Sequence, residues 1–223
     1  MIDSGISESD IRSCLNTGER LAHGGYQGEI RTGRIADKDI LIKSAAGTGI
    51  KGWLNRKMIQ REYRMYSHLG GVQGVPRCFG LFMGRYLVLE HVKSQSYRHA
   101  TITDRDSFFV EIWDIIGSLH DRGVAHGDLQ RKENILVTED SRPCLVDFGV
   151  SVFRKPGFHP VNHFLYDFSR QQDFNCWVKH KYGGTYQNMS PEDAKLHRPL
   201  VIGAIARKLK PAWKKIRKVF NLG

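Results

Sequence analysis

Asp128, Asn134 and Asp147 are the side chains whose types and spacing could do chemistry in this chain. They stand in two short stretches, VAHGDLQRKENILVTED (residues 124–140) and CLVDFGVS (residues 144–151). A carboxylate within reach of a hydroxyl can orient it and take its proton. Carboxylate and amide oxygens are also the ligands that a hard cation such as Mg²⁺ prefers. The two aspartates are 19 residues apart, one on each side of an Ile-Leu-Val run. Such a set suits transfer of a phosphoryl group to a hydroxyl, a reaction that asks for few covalent participants and much placement of charge.

That reaction needs further parts, and each has a candidate in a consistent order. A backbone cradle for phosphates is expected in HGGYQGEI (residues 23–30), with Gly25, Gly28 and Ile30 following His23. Glycines there let N–H groups approach phosphate closely, although a glycine-rich hairpin turn reads the same way. A cation to grip the phosphates is expected in Lys43, which closes the apolar run DILIK. A lysine in that place is otherwise a solvent-facing strand end. The functional reading needs a carboxylate partner on a neighbouring helix, and Glu62 in QREYRMYSHL offers one. Its alternative is an ordinary exposed helix charge.

The elements that must position these residues follow from periodicity. Residues 1–20 read as a polar leader with some helical character. Alternation between Tyr26 and Ser44 predicts two or three strands. GWLNRKMIQREYRMYSHL (residues 52–69) carries Trp53, Met58, Tyr63, Tyr66 and Leu69 near helical spacing. CFGLFMGRYLVLEHV predicts a hairpin of buried strands around Gly84, and residues 107–123 an amphipathic helix stopped by Gly123. Short strands are expected at NILV and PCLVDF. Further on, FSRQQDFNCWVKHKY and SPEDAKLH read as helices, the second with Ser190 as N-cap, Pro191 at N1 and Asp193 at N3. A strand-rich first third and a helix-rich remainder make an α+β pattern that permits two lobes.

Taken together these stretches resemble the protein-kinase-like superfamily, over about His23 to Gly149. HGDLQRKENILV is similar to H-R-D-L-x-x-x-N, and DFG stands at 147–149 as in that family. The 19-residue interval from Lys43 to Glu62 resembles that between the strand lysine and helix glutamate of kinases. YLVLEHV (residues 86–92) resembles the hinge strand, with Leu89 as gatekeeper and Glu90 to Val92 at the adenine edge. H-G-D-L, with glycine at 127, is similar to the RIO-like, Kdo/WaaP lipopolysaccharide-kinase and aminoglycoside-phosphotransferase branches. The stretch KGWLNRKMIQREYRMYSHLGGVQGVP resembles bacterial lipopolysaccharide-kinase-like proteins. No A-P-E motif follows, and only 74 residues remain after Gly149.

The resemblance implies a minimal bilobal fold with a reduced C-lobe, ATP and Mg²⁺ as cofactors, and these roles. Asp128 would position the acceptor hydroxyl, Lys43 held by Glu62 would grip the phosphates, and Asn134 with Asp147 would bind the metal. One departure bears on this. Five residues separate Asp128 from Asn134 where the motif has four, so Glu133 occupies the usual metal-ligand offset. Asn134 is preferred because the apolar strand begins directly after it, with Glu133 as the alternative. Gln130 stands where a phosphate-gripping lysine is common, and Arg131 or Lys132 could substitute. Asp173 in RQQDFNCW could buttress the loop from a following helix or be a solvated helix acid.

Composition narrows partners and compartment. The net charge of +11 points to an anionic partner, and seven of those charges lie after Ala204 without any acid. That segment, VIGAIARKLKPAWKKIRKVFNLG, has apolar residues at helical spacing between its cations. It reads either as an amphipathic helix on an anionic membrane surface or as a terminal helix packed on the C-lobe. Nucleic acid is disfavoured because no reading motif is present. Four scattered cysteines exclude a C-x-x-C zinc site and fit a reducing compartment. The acidic, polar N-terminus is unlike a signal peptide, so a cytoplasmic protein is expected, the tail allowing a peripheral place at the inner face of the cytoplasmic membrane. His159 and His163 have metal-ligand spacing, but Pro160 is expected to disfavour a regular helix there.

The expected organisation is a leader and N-lobe at 1–92, a C-lobe at 93–203 and a basic tail at 204–223. The expected activity is ATP-dependent phosphorylation of an acceptor hydroxyl. An envelope saccharide such as a lipopolysaccharide core sugar leads, with a protein serine or threonine second. A pseudokinase binding module and an aminoglycoside-type small-molecule kinase are the rivals.

Overall fold

The computed structural model describes residues 5–20 and 28–198. Gly25 and the basic segment 204–223 lie outside the described residues. Helix α1 (Glu8–Thr17) is capped by Ser7, whose side chain and that of Asp10 exchange hydrogen bonds with each other's backbone N–H in a capping box. Strands β1 (Glu19–Arg20), β2 (Gly28–Ile35), β3 (Lys38–Ala45), β4 (Cys78–Phe82) and β5 (Tyr86–Glu90) form an antiparallel sheet in the order β1-β2-β3-β5-β4. Between β3 and β4 runs the long helix α2 (Gly49–His68).

Both faces of this sheet are covered, and the two-residue period of β3 decides what meets what. Ile40 and Ile42 face a small core closed by Ile11 and Cys14 of α1. Lys43 and Ala45 have the opposite parity, and Ala45 packs with Ile59 and Tyr66 of α2. On α2 the buried residues are Gly52, Asn55, Ile59, Glu62 and Tyr66, a stripe of alternating three- and four-residue steps. Trp53, one of the residues at helical spacing, lies on the outer face of α2 and is exposed. Glu62 sits in that stripe between Ile59 and Tyr66, as a buried carboxylate.

The remainder is built on two helices. Helix α3 (Arg105–Asp121) is capped by Asp104 and buries Phe108, Phe109, Ile112, Ile115, Ile116 and Leu119. Helix α4 (Pro160–Lys181) crosses it, and the Trp177 indole N–H donates to the Phe109 carbonyl at 2.8 Å. Short strands fill the space beside them. β6 (Ser94–Ser96), β8 (Ile135–Thr138) and β9 (Pro143–Leu145) form one sheet, and β7 (Val124–Ala125) pairs with β10 (Val152–Phe153). Pro160 occupies the first turn of α4, where its missing N–H costs nothing, so the expectation that it breaks the helix is overturned. Helix α5 (Pro191–Leu196) has Ser190 as its N-cap, as expected. Among the described residues no helix is long and apolar enough to cross a membrane.

His180 near the end of α4 is buried, and its Nε2–H donates to the Leu129 carbonyl at 2.9 Å. Burial holds its imidazole below the usual value of 6.5, with Lys179 and Lys132 adding to the effect against the Leu129 hydrogen bond. The unfolded chain therefore binds the proton more readily, so this group's contribution to stability falls as pH drops below 6.5. In His180→Gln the difference in denaturant midpoint between about pH 7 and about pH 5 becomes smaller than in the unaltered chain. Urea titrations at the two pH values measure it; an undiminished difference contradicts the assignment.

Candidate active site

Lys43 is the meeting point of the two halves of the molecule. Its Nζ lies 2.6 Å from Glu62 Oε1 and 3.7 Å from Asp147 Oδ1. Burial works against its charge, but the two carboxylates outweigh burial and hold the ammonium above its ordinary value. Of Glu62, 1% is exposed, and its neighbours in the buried stripe are Ile59 and Tyr66. An unpaired carboxylate there would carry a desolvation cost of several kcal/mol, so a fixed cation opposite it is a physical requirement.

Asp147 is placed by the backbone. Its φ of +69° lies in the left-handed region, a strain of about 1–3 kcal/mol for a non-glycine residue. Neighbours hold it there. The Asp147 N–H donates to the Tyr66 hydroxyl at 3.1 Å, and Phe148 is fully buried against Tyr66 and His126. Tyr66 is four residues after Glu62, so one helical face presents both. In the sequence Tyr66 stands out only for its helical spacing with Trp53, Met58, Tyr63 and Leu69. Its position one turn beyond Glu62 is the signal for a second contact with the site.

The 126–134 loop is suspended from outside itself. Asp173, fully buried on α4, accepts from His126 N and Gly127 N, both at 2.8 Å, and its Oδ2 lies 3.0 Å from His120 Nε2. The buttressing alternative for this residue is therefore the one observed. Gly127 has a φ of +76°, a conformation L side chains rarely adopt. His126 is fully buried. Its Nε2–H donates to the Val146 carbonyl at 3.0 Å, and Nδ1 accepts from Asp128 N at 3.3 Å. This histidine ties the loop to the strand end that carries Asp147.

The extra residue in the loop is taken up by two turns. Arg131 N donates to Asp128 O at 3.3 Å, and Lys132–Asn134 form a short 3₁₀ turn closed by Asn134 N to Arg131 O at 3.0 Å. After that turn the buried Asn134 returns to Asp128, donating from Nδ2 to its carbonyl at 3.0 Å and to Oδ2 at 3.2 Å. Glu133 points to the surface, where its Oε1 pairs with the Arg98 guanidinium, which holds the carboxyl below its usual range. Burial raises the Asp128 carboxyl and the Asp147 charge adds to this, against Arg131, His126 and the Asn134 hydrogen bond. Arg131 Nη1 lies 3.8 Å from Asp128 Oδ2, whereas Lys132 covers the Tyr97 ring.

The other expected contributors are less closely gathered. Gly28 and Ile30 lie in β2, opposite Ala45 and Lys43 respectively. A Cβ on Gly28 would stand 1.6 Å from the Ser44 carbonyl oxygen, so strand packing alone demands glycine there. Leu89 is buried at the end of β5, while Glu90 is exposed and its Oε2 accepts from Arg77 N at 3.0 Å. The Val92 carbonyl accepts from Ser94 Oγ at 2.9 Å. Glu90 and Val92 border a cavity of about 340 Å³ whose lining includes none of Lys43, Glu62, Asp128, Asn134 or Asp147.

No family model matches the chain. It is similar to calcium-dependent protein kinase 1 of Oryza sativa subsp. japonica, 27% identical over 164 residues, 67% of this chain and 32% of that protein. Calcium-dependent protein kinase 34 of Arabidopsis thaliana is 24% identical over 66% of this chain and 31% of its own length. Sperm motility kinase 3A of Mus musculus is 23% identical over 62% and 29%. The chain thus spans about a third of the length of these relatives. This distant similarity to protein kinases supports a place in the protein-kinase-like superfamily; it does not extend to the bacterial lipopolysaccharide-kinase branch.

Asp173→Ala leaves the buried His126 N–H and the half-buried Gly127 N–H without an acceptor and costs about 3 kcal/mol of stability. Asp173→Asn keeps one acceptor oxygen and loses less. Chemical denaturation of the three proteins orders them; equal midpoints contradict the suspension described above.

Proposed function

We propose that the chain is an ATP- and Mg²⁺-dependent phosphotransferase acting on a hydroxyl, with a protein serine or threonine as the acceptor. The observation that carries this reading is Lys43, a charged amine held between Glu62 and Asp147. A free surface lysine would be mobile and screened; this one is fixed in direction, as a grip on the phosphates of a nucleotide requires. The preference for a protein acceptor comes from the relatives, two of which are protein kinases by name. The saccharide acceptor expected from the sequence has no support among them.

In this reading each residue has a stated task. Lys43 binds phosphate oxygens and Glu62 keeps it aimed. Asp128 orients the acceptor hydroxyl and is ready to take its proton. Asn134 fixes Asp128 through its Nδ2, which leaves its Oδ1 as the oxygen for a metal, and Asp147 supplies a carboxylate. Among the described residues no group of three or more His, Cys, Asp or Glu could hold a metal. One carboxylate and one amide, completed by phosphate oxygens and water, are what Mg²⁺ accepts beside a nucleotide, so the residues fit it. When bound, the ion would neutralise charge on the phosphates. Asp173 acts at one remove by holding the loop that carries Asp128.

The binding-module alternative drew on the displaced asparagine. The return of Asn134 to Asp128 after the extra turn favours turnover over binding alone. Purified protein with labelled ATP, Mg²⁺ and a generic protein acceptor such as casein tests the point. Asp128→Ala lowers transfer at least about a hundredfold while the ATP/Mg²⁺-induced rise in melting temperature persists. Asn134→Ala lowers transfer and raises the Mg²⁺ concentration needed, whereas Glu133→Ala leaves both near the unaltered values. An unaltered protein that binds ATP but transfers no phosphate overturns the proposal in favour of a binding module.

A further inference from the structure

The exposed apolar side chains of this molecule are not scattered. Ten large ones are exposed among the described residues, and eight of them belong to the outer side of α2 or to the stretch from Val150 to Leu165. On α2 they are Ile50, Trp53 and Leu54 in the first turns; on the other segment Phe158 is 89% exposed and Val161 and Phe164 follow it at three-residue steps. Isolated exposed apolar residues need no explanation, but a concentration of this kind marks a contact surface.

Cations share the same two segments. Lys51, Lys57, Arg61 and Arg64 are exposed on α2, and Arg154 and Lys155 on the other stretch. The sole acid within Gly49–His68 is Glu62, which is buried and engaged with Lys43, and residues 150–166 contain no acid. None of the six exposed cations has a carboxylate within 4.0 Å among the described residues. The two segments adjoin. Arg61 donates to the Ser151 carbonyl at 2.7 Å, and a cavity of about 470 Å³ between them is bordered by Arg61, Arg64, Met65, Phe153, Lys155 and Leu165.

We infer that this face docks on an anionic phospholipid bilayer, with Trp53, Phe158 and Phe164 entering the interface and the cations meeting headgroup phosphates. Charge decides the occupant. The chain's own C-terminal segment matches the face in apolar content, but its seven cations and absent acids after Ala204 repel it. A second copy of the same face is repelled for the same reason. A bilayer rich in acidic lipid supplies both an apolar layer and a dense negative charge. The inference is independent of the phosphotransfer reading, because it concerns binding alone.

Co-sedimentation of the full chain with vesicles tests it, comparing phosphatidylcholine alone with phosphatidylcholine containing phosphatidylglycerol. The full chain binds the acidic vesicles, and added salt weakens the binding. Phe158→Ser with Phe164→Ser, and separately Arg64→Glu with Lys155→Glu, each weaken it about tenfold or more. All four positions are exposed, so melting temperatures stay near the unaltered value and exclude unfolding as the cause. Three results overturn the inference. The first is binding that either pair leaves unchanged, which another part of the chain then carries. The second is equal binding to neutral vesicles. The third is retention by immobilised poly-glutamate without vesicle binding, which assigns the face to an acidic protein.

Discussion

A carboxylate on the buried face of a helix, between an isoleucine and a tyrosine, sets the terms for the rest of this molecule. Glu62 is removed from water, and its cation arrives from a different element, at the opposite parity to the isoleucines of β3. A buried ion pair of this kind adds little net stability, since desolvation offsets most of the attraction. What it does is fix an alignment. β3 must present Lys43 at one height, α2 must turn one face inward, and Asp147 must come from the far side of the core to complete the charge balance. The strand, the helix and Asp147 meet at one ammonium group.

The second organising group is Asp173. It lies on a helix formed by a later part of the chain, yet it determines the backbone direction at His126 and Gly127. The histidine then passes that placement to Val146, next to Asp147. Two buried side chains thus connect the three elements whose relative position matters most. Because each holds backbone groups, the connection concerns where the main chain runs, and the reacting side chains inherit it.

Much of this was legible in the sequence, and the reasons for the exceptions are specific. The helices from Gly49 to His68 and Arg105 to Asp121, the hairpin through Gly84 and the capped turn at Ser190 announce themselves through period, breakers and caps. The Lys43–Glu62 pairing could be read from the 19-residue interval between them, which resembles that between the strand lysine and helix glutamate of kinases. The buried face of α2 was not legible, because Trp53, Met58 and Tyr63, the large residues at helical spacing, do not trace it. The stripe is made of Gly52, Asn55 and Glu62 as much as of Ile59 and Tyr66, and small or polar residues carry no hydrophobic signal. Pro160 was misread because a proline breaks a helix in its interior and favours one in its first turn; the composition alone does not say which applies. The choice between Glu133 and Asn134 depended on how six backbone bonds would turn, which spacing does not encode.

The way the 126–134 loop is held has a consequence for how such a loop can vary. Its start is fixed by Asp173, and its end is fixed where Val146 N donates to the Asn134 carbonyl at 3.0 Å. Neither anchor belongs to the stretch between them. That stretch is therefore a span between two fixed posts, and its length can change by a residue without moving either one, provided a turn is available to take up the slack. Arg131 and the 3₁₀ turn at Lys132–Asn134 are that slack. A motif defined by counting residues treats such a chain as defective, while one defined by its anchored ends does not.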